Sequence, residues 1–120
     1  MIAPLILVVE DNPVVRCWLC ETLEQEGYVT LSAGDGREAL NLLETSNVGL
    51  VLSDLEMPRM DGRELLRRLR AHPKHAKLPV VLMLVYPWDA LNIQSDAFLV
   101  KPFLQIADLL ATLQNVIGPL

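Results

Sequence analysis

The sequence predicts an α/β domain, with a parallel sheet of five strands covered by helices on both faces. Three observations carry this reading. The runs Leu5–Val9, Val48–Leu52 and Val80–Val85 are short and almost wholly apolar, the pattern of strands buried on both faces. Stretches with helical apolar spacing alternate with these runs, as a parallel sheet with crossover helices requires. Polar residues interrupt the pattern at the ends of three runs, where α/β sheets gather functional groups. A chain of 120 residues fits one compact domain with a real core and no need of disulfides.

Leu5–Val9 is the first strand. Pro13 suits the first turn of the helix that follows, because its missing N–H is not needed there. That helix runs to Gly27, with Val15, Leu19 and Leu23 on one face. Tyr28–Ala33 alternates and carries Val and Thr, so it reads as a strand. Gly34–Gly36 is a turn, and Ala39, Leu40 and Leu43 mark a short second helix.

Val48–Ser53 is the third strand, and Pro58 ends the loop after it. Asp61 with Glu64 forms a capping box for a third helix whose inner face is Leu65, Leu66 and Leu69. Arg63, Arg67, Arg68 and Arg70 lie mainly outward, as a solvated face able to pair with Glu64. His72 and His75 fall in the loop Ala71–Leu78 and are expected at the surface. Pro79–Val85 is the fourth strand, Ala97–Val100 the fifth and Leu104–Ile117 the final helix. Only Tyr86–Asp96 separates strands four and five, so the helix between them is shortened to about two turns or irregular. Trp88 is expected to cover the gap this leaves; the alternative is an exposed apolar anchor of Tyr86, Pro87 and Trp88.

Hydrophobic residues make up 52% of the chain, yet no run approaches the roughly 18 apolar residues of a membrane span. The N-terminus lacks the basic start and long apolar stretch of a signal peptide, so a cytoplasmic location is expected. A net charge of −5 argues against direct binding to nucleic acid phosphates. It fits a protein–protein module or a carboxylate metal site. Cys17 and Cys20 have C-x-x-C spacing but stand in the middle of the first helix with no second Cys or His pair, so they read as structural.

The polar strand ends are Glu10-Asp11 after the first strand, Asp54 at the third and Lys101-Pro102 after the fifth. In a parallel sheet these ends share one rim. Asp at a strand end is common as a turn former, so each residue alone says little. Together they bring three carboxylates and an ammonium to one place. Like charges so close raise one another's pKa unless a cation sits among them. A hard divalent ion such as Mg²⁺ prefers oxygen ligands and suits such a cluster. Asp54 is then placed to act as a nucleophile toward a phosphoryl group, with the metal and Lys101 neutralising the charge in transfer.

These residues stand in motifs that resemble the receiver domains of bacterial response regulators. The motifs are Leu7-Val8-Val9-Glu10-Asp11-Asn12, Ala33-Gly34-Asp35-Gly36, the specific segment from Asp54 through Met57-Pro58 to Met60-Asp61-Gly62, and Lys101-Pro102-Phe103. The resemblance spans essentially the whole chain. It implies a flavodoxin-like (βα)5 three-layer sandwich of strand order 2-1-3-4-5, as a single receiver domain over residues 1–120, whether standing alone or cut from a longer protein. It implies Asp54 as phosphoacceptor and Lys101 as the phosphoryl contact. Glu10, Asp11, Asp54 and the Glu56 main-chain carbonyl would hold Mg²⁺ or Mn²⁺. It further implies a histidine kinase or histidine phosphotransfer protein as partner, self-catalysed phosphorylation and dephosphorylation rather than enzymatic turnover, a cis Lys101-Pro102 bond and Phe98 as an aromatic switch position.

The chain departs from the family at strand four. Receivers place Ser or Thr at its end to bond the phosphoryl group; here that position is Leu84, and no Ser or Thr occurs between Ser53 and Ser95. The chemistry therefore has its residues, while the readout has lost a hydroxyl and most of a helix. Phosphorylation with a weakened or replaced conformational response is the expectation, and an atypical fourth crossover points to a monomer or an atypical dimer. Two alternatives stand beside it: a phosphorylation-independent interaction module of the same fold, and a phosphatase with an Asp nucleophile and Glu56 as acid. The second lacks the substrate-binding segments such enzymes carry.

Overall fold

In the computed structural model, residues 4–101 and 106–118 are described. Strands β1 (Leu5–Val9), β2 (Val29–Ala33), β3 (Leu50–Asp54), β4 (Val80–Leu84) and β5 (Ala97–Val100) alternate with helices α1 (Pro13–Gln25), α2 (Gly36–Thr45), α3 (Gly62–Ala71) and α4 (Ile106–Ile117). The strands are all parallel, in the order β2-β1-β3-β4-β5. The expected flavodoxin-like sandwich is therefore present. The fourth crossover holds a single 3-10 turn, Pro87–Ala90, in place of a helix.

Side chains on successive strand residues point to opposite faces, and this alternation divides the core in two. Leu7, Val9, Val51 and Leu82 pack beneath α2 and α3 with Leu43, Leu65 and Leu69. Ile6, Val8, Leu50, Leu52, Val81 and Met83 pack beneath α1 and α4 with Leu19, Leu23, Leu109 and Leu113. Burial on both faces is why β1, β3 and β4 read as continuous apolar runs.

Helix starts follow their caps. Asn12 accepts from the Val14 and Val15 amides ahead of Pro13, Asp35 from the Glu38 amide and Asp61 from the Glu64 amide. Gly27 at φ 98° supplies the left-handed turn after α1. The proposed start of the final helix at Leu104 and the Lys101-Pro102 bond lie outside the described residues. Among the described residues no helix is long and apolar enough to cross a membrane.

Three expectations are corrected. His75 is buried at 8% exposure and stacks on the exposed His72 with ring centroids 4.7 Å apart, because the connection after α3 folds back in successive turns. Trp88 does not fill the gap in the fourth crossover: it is 64% exposed and stacks on Tyr86 at 4.9 Å. Ala90 and Ile93 pack against the core there instead. Among the α3 arginines, Arg67 and Arg68 pair with Glu64 as expected, but Arg70 reaches across to Asp96.

Candidate functional site

The rim formed by the carboxyl ends of β1, β3 and β5 brings Glu10, Asp11, Asp54 and Lys101 together. Just past β1, the Glu10 amide donates to the Ala33 carbonyl at 3.0 Å, extending the pairing with β2. The Glu10 carbonyl accepts from the Arg16 guanidinium at 2.7 Å, and its carboxylate faces the Asn12 amide at 3.4 Å. Glu10 is thus fixed through its backbone and is 1% exposed, whereas Asp11 beside it is exposed. Arg16 was not singled out in the sequence; its place one turn into α1, on the side nearest β1, is the signal that could have found it.

Asp54 ends β3. The Leu55 amide donates to the Met83 carbonyl at 2.8 Å, and the Gly62 amide donates to the Leu55 carbonyl at 2.7 Å. α3 therefore begins against the end of β3. A Cβ at Gly62 would lie 2.6 Å from the Asp54 carbonyl oxygen, which explains a glycine there. The loop between them docks on the start of α2: Arg59 pairs with Asp35 at 2.6 Å, and a Cβ at Gly36 would meet the Met60 side chain at 2.9 Å.

Lys101 follows β5, its amide donating to the Leu84 carbonyl at 2.6 Å. Its ammonium lies 2.7 Å from Glu10 and 3.4 Å from Asp54. The charges respond accordingly. Burial, followed by the negative charge of Glu10, pushes the Asp54 carboxyl from 3.8 up to about 7. Burial also works against ionised Glu10, but the Lys101 ammonium outweighs it and holds this carboxyl below its ordinary value. For Lys101, burial is overcome by the two carboxylates, and its pKa is raised.

Carboxylate oxygens of Glu10, Asp11 and Asp54 lie within 4.8 Å of one another. Three carboxylates against one ammonium leave an excess of negative charge, which adds to burial in holding the Asp54 pKa up. The donor set is all oxygen, partly buried and open through Asp11, which fits a hard divalent cation that keeps some water. The Glu56 side chain takes no part: it is exposed and bonds Arg63 at 3.3 Å.

At the end of β4, Leu84 is 2% exposed and packs in the core beneath α2 and α3. Phe98 is half-buried against the same core and stands opposite Leu82 in the β4–β5 register. Cys17 and Cys20 are free thiols. A hydrogen bond to Glu21 raises the pKa of Cys17, and burial raises that of Cys20, the reverse of what a reactive pair needs.

The family model of the response regulator receiver domain matches residues 6–114. The chain belongs to this family. As a receiver domain it is 40% identical over 102 residues to an uncharacterised 14.6 kDa protein of Leptolyngbya boryana, covering 81% of this chain and 78% of that one. It superimposes on the receiver domain of a signal transduction histidine kinase from Syntrophus aciditrophicus with a TM-score of 0.90. That match has 34% identity and covers 97% of this chain and 91% of the other. The receiver domain of sensor histidine kinase PA1611 from Pseudomonas aeruginosa, solved with magnesium in its active-site cleft, matches with a TM-score of 0.86. There the identity is 29%, over 98% of this chain and 99% of that one. The chain spans only 7% to 12% of the length of several curated sensor histidine kinases that it matches. It is a signalling domain of the kind that such kinases and response regulators carry.

Proposed function

We propose that Asp54 accepts a phosphoryl group from a phosphohistidine on a histidine kinase or histidine phosphotransfer protein. The observation that carries this is the convergence of Glu10, Asp11, Asp54 and Lys101 at one rim, with Lys101 touching both buried acids. The Asp54 carboxylate attacks phosphorus, a P–O bond forms, and the P–N bond breaks with its electron pair passing to the imidazole. Lys101 stands beside Asp54 to hydrogen-bond a phosphoryl oxygen and offset its charge. Mg²⁺ or Mn²⁺, held by Glu10, Asp11, Asp54 and the Glu56 main-chain carbonyl, would neutralise the remaining charge of the transferring group. Magnesium in the cleft of the PA1611 receiver supports that assignment.

Catalysis of this kind is the domain's action on itself, gaining and losing the phosphoryl group, rather than turnover of a separate substrate. The acidic balance of the chain supports a protein partner and no nucleic acid contact by this domain. Leu84 supports a response that differs from the hydroxyl-coupled one, because a buried aliphatic side chain offers no hydrogen bond to an aspartyl phosphate.

Incubation with acetyl phosphate and Mg²⁺, followed by intact-mass spectrometry, tests the proposal. A phosphoryl adduct on the native protein that is lost in Asp54→Asn and in metal-free samples is expected. A folded, metal-loaded protein with no adduct would favour the phosphorylation-independent interaction module instead.

A further inference from the structure

The opposite rim of the sheet carries a polar cavity. It has a volume of about 270 Å³ and lies between the α2–β3 connection and the α3–β4 connection. Its wall includes Ser46, Asn47, Lys74, His75 and Lys77, with Leu43 among its apolar residues. No acid lines it, and no Asp or Glu occurs in the sequence between Glu64 and Asp89. Lys74 and Lys77 make no ion pair among the described residues. In a chain with a net charge of −5, this is a local concentration of unopposed positive charge.

His75 is the second observation. It is 8% exposed, and its ring nitrogens make no hydrogen bond among the described residues, its only ring contact being the stack on His72. A buried imidazole without partners is costly unless something fills its hydrogen-bonding capacity. Neither ring nitrogen is wholly sealed from solvent, since among the described residues the one fully buried side-chain atom without a partner is the Tyr28 hydroxyl. His75 is thus a lining residue of the cavity with unfilled hydrogen-bonding capacity.

We propose that this cavity binds a phosphate-type dianion, free or as a small phosphomonoester. Lys74 and Lys77 supply the charge, and His75, Ser46 and Asn47 supply hydrogen-bond donors. Lysine ammonium groups only donate and a hydroxyl or amide can donate, so the set matches a ligand that presents acceptor oxygens on every side. Two lysines and an imidazole favour a dianion over a monocarboxylate. The volume leaves room for a short ester chain over Leu43. The site stands at the end of the sheet away from Asp54, so it is separate from the phosphoryl-transfer centre.

The chain has two histidines, which makes proton NMR of the imidazole C2–H signals a direct readout, with His72→Gln assigning them. The groups facing His75 are His72, Lys74 and Lys77; burial, then His72 and Lys74, depresses its pKa in the free protein. Titrations are run in inorganic phosphate and in chloride of equal ionic strength. The expected result is a rise in the His75 pKa of about one unit in phosphate alone. That rise should vanish in the exposed double variant Lys74→Ala/Lys77→Ala. Glycerol phosphate acting at lower concentration than phosphate would mark the ester as the ligand, and the reverse order would mark the free ion. Superimposable curves in phosphate and chloride, or a rise that survives the double variant, would overturn the proposal.

Discussion

Removing the charge of Asp54 should make the metal-free protein more stable at neutral pH, the reverse of the usual effect of mutating a buried polar residue. The carboxyl has moved from 3.8 in an unperturbed chain to about 7 in the fold. The folded state therefore holds a proton that the unfolded state has released between about pH 4 and pH 7, and stability falls as pH rises through that window. At about 1.4 kcal/mol per pKa unit, the whole interval is worth at most about 4 kcal/mol. Lys101 and Glu10 share the same cluster, and the lowered pKa of Glu10 offsets part of this. We therefore expect Asp54→Asn to stabilise the protein by about 1–3 kcal/mol at pH 8 in EDTA. The gain should shrink toward zero near pH 4. Urea denaturation followed by circular dichroism at several pH values measures it. Saturating Mg²⁺ should narrow or reverse the difference, since the native site binds the cation more tightly than the variant. A variant that is less stable than the native protein at pH 8, or a difference independent of pH, would refute the electrostatic reasoning.

Lys101→Met removes the cation that competes with metal for Glu10 and Asp54, so Mg²⁺ affinity should rise about 5–10-fold while phosphoryl transfer slows at least that much. Calorimetric titration and adduct formation measure the two effects, and a parallel loss of both would contradict the assignment. Leu84→Thr should cost about 2 kcal/mol, because it trades buried methyl groups for a hydroxyl in an apolar setting. It should also enlarge the phosphorylation-dependent change in Trp88 fluorescence, measured in a Trp18→Phe background. Gly62→Ala places a Cβ 2.6 Å from the Asp54 carbonyl oxygen and should destabilise the fold by about 2–3 kcal/mol. An unchanged melting temperature would show that α3 is not seated against β3 as described.

Much of this was legible in the sequence for a physical reason. β1, β3 and β4 are buried on both faces, so their apolar runs stand out, and Pro13 and the Asp61 cap stand where helices begin. Strand ends in a parallel sheet share a rim, so Glu10, Asp54 and Lys101 were placed together by topology alone. What the sequence hid depends on contacts between distant segments. The Arg59–Asp35 pair joins residues 24 apart, and Arg70 meets Asp96 across 26. His75 looked like a loop residue because its burial comes from the way the α3–β4 connection turns back, which local polarity does not signal. The length of the Tyr86–Asp96 interval showed that the fourth crossover was short, but not that Ala90 and Ile93, rather than Trp88, would fill the space.

The most direct test is to incubate the protein with Mg²⁺ and a phosphorylated histidine phosphotransfer domain, then reduce with borohydride, which converts an aspartyl phosphate to homoserine. Peptide fragmentation then locates the homoserine. The account predicts it at position 54 alone, and absent when the metal is chelated. Homoserine at Asp11 or elsewhere, or none in a folded protein with metal and donor present, would contradict it.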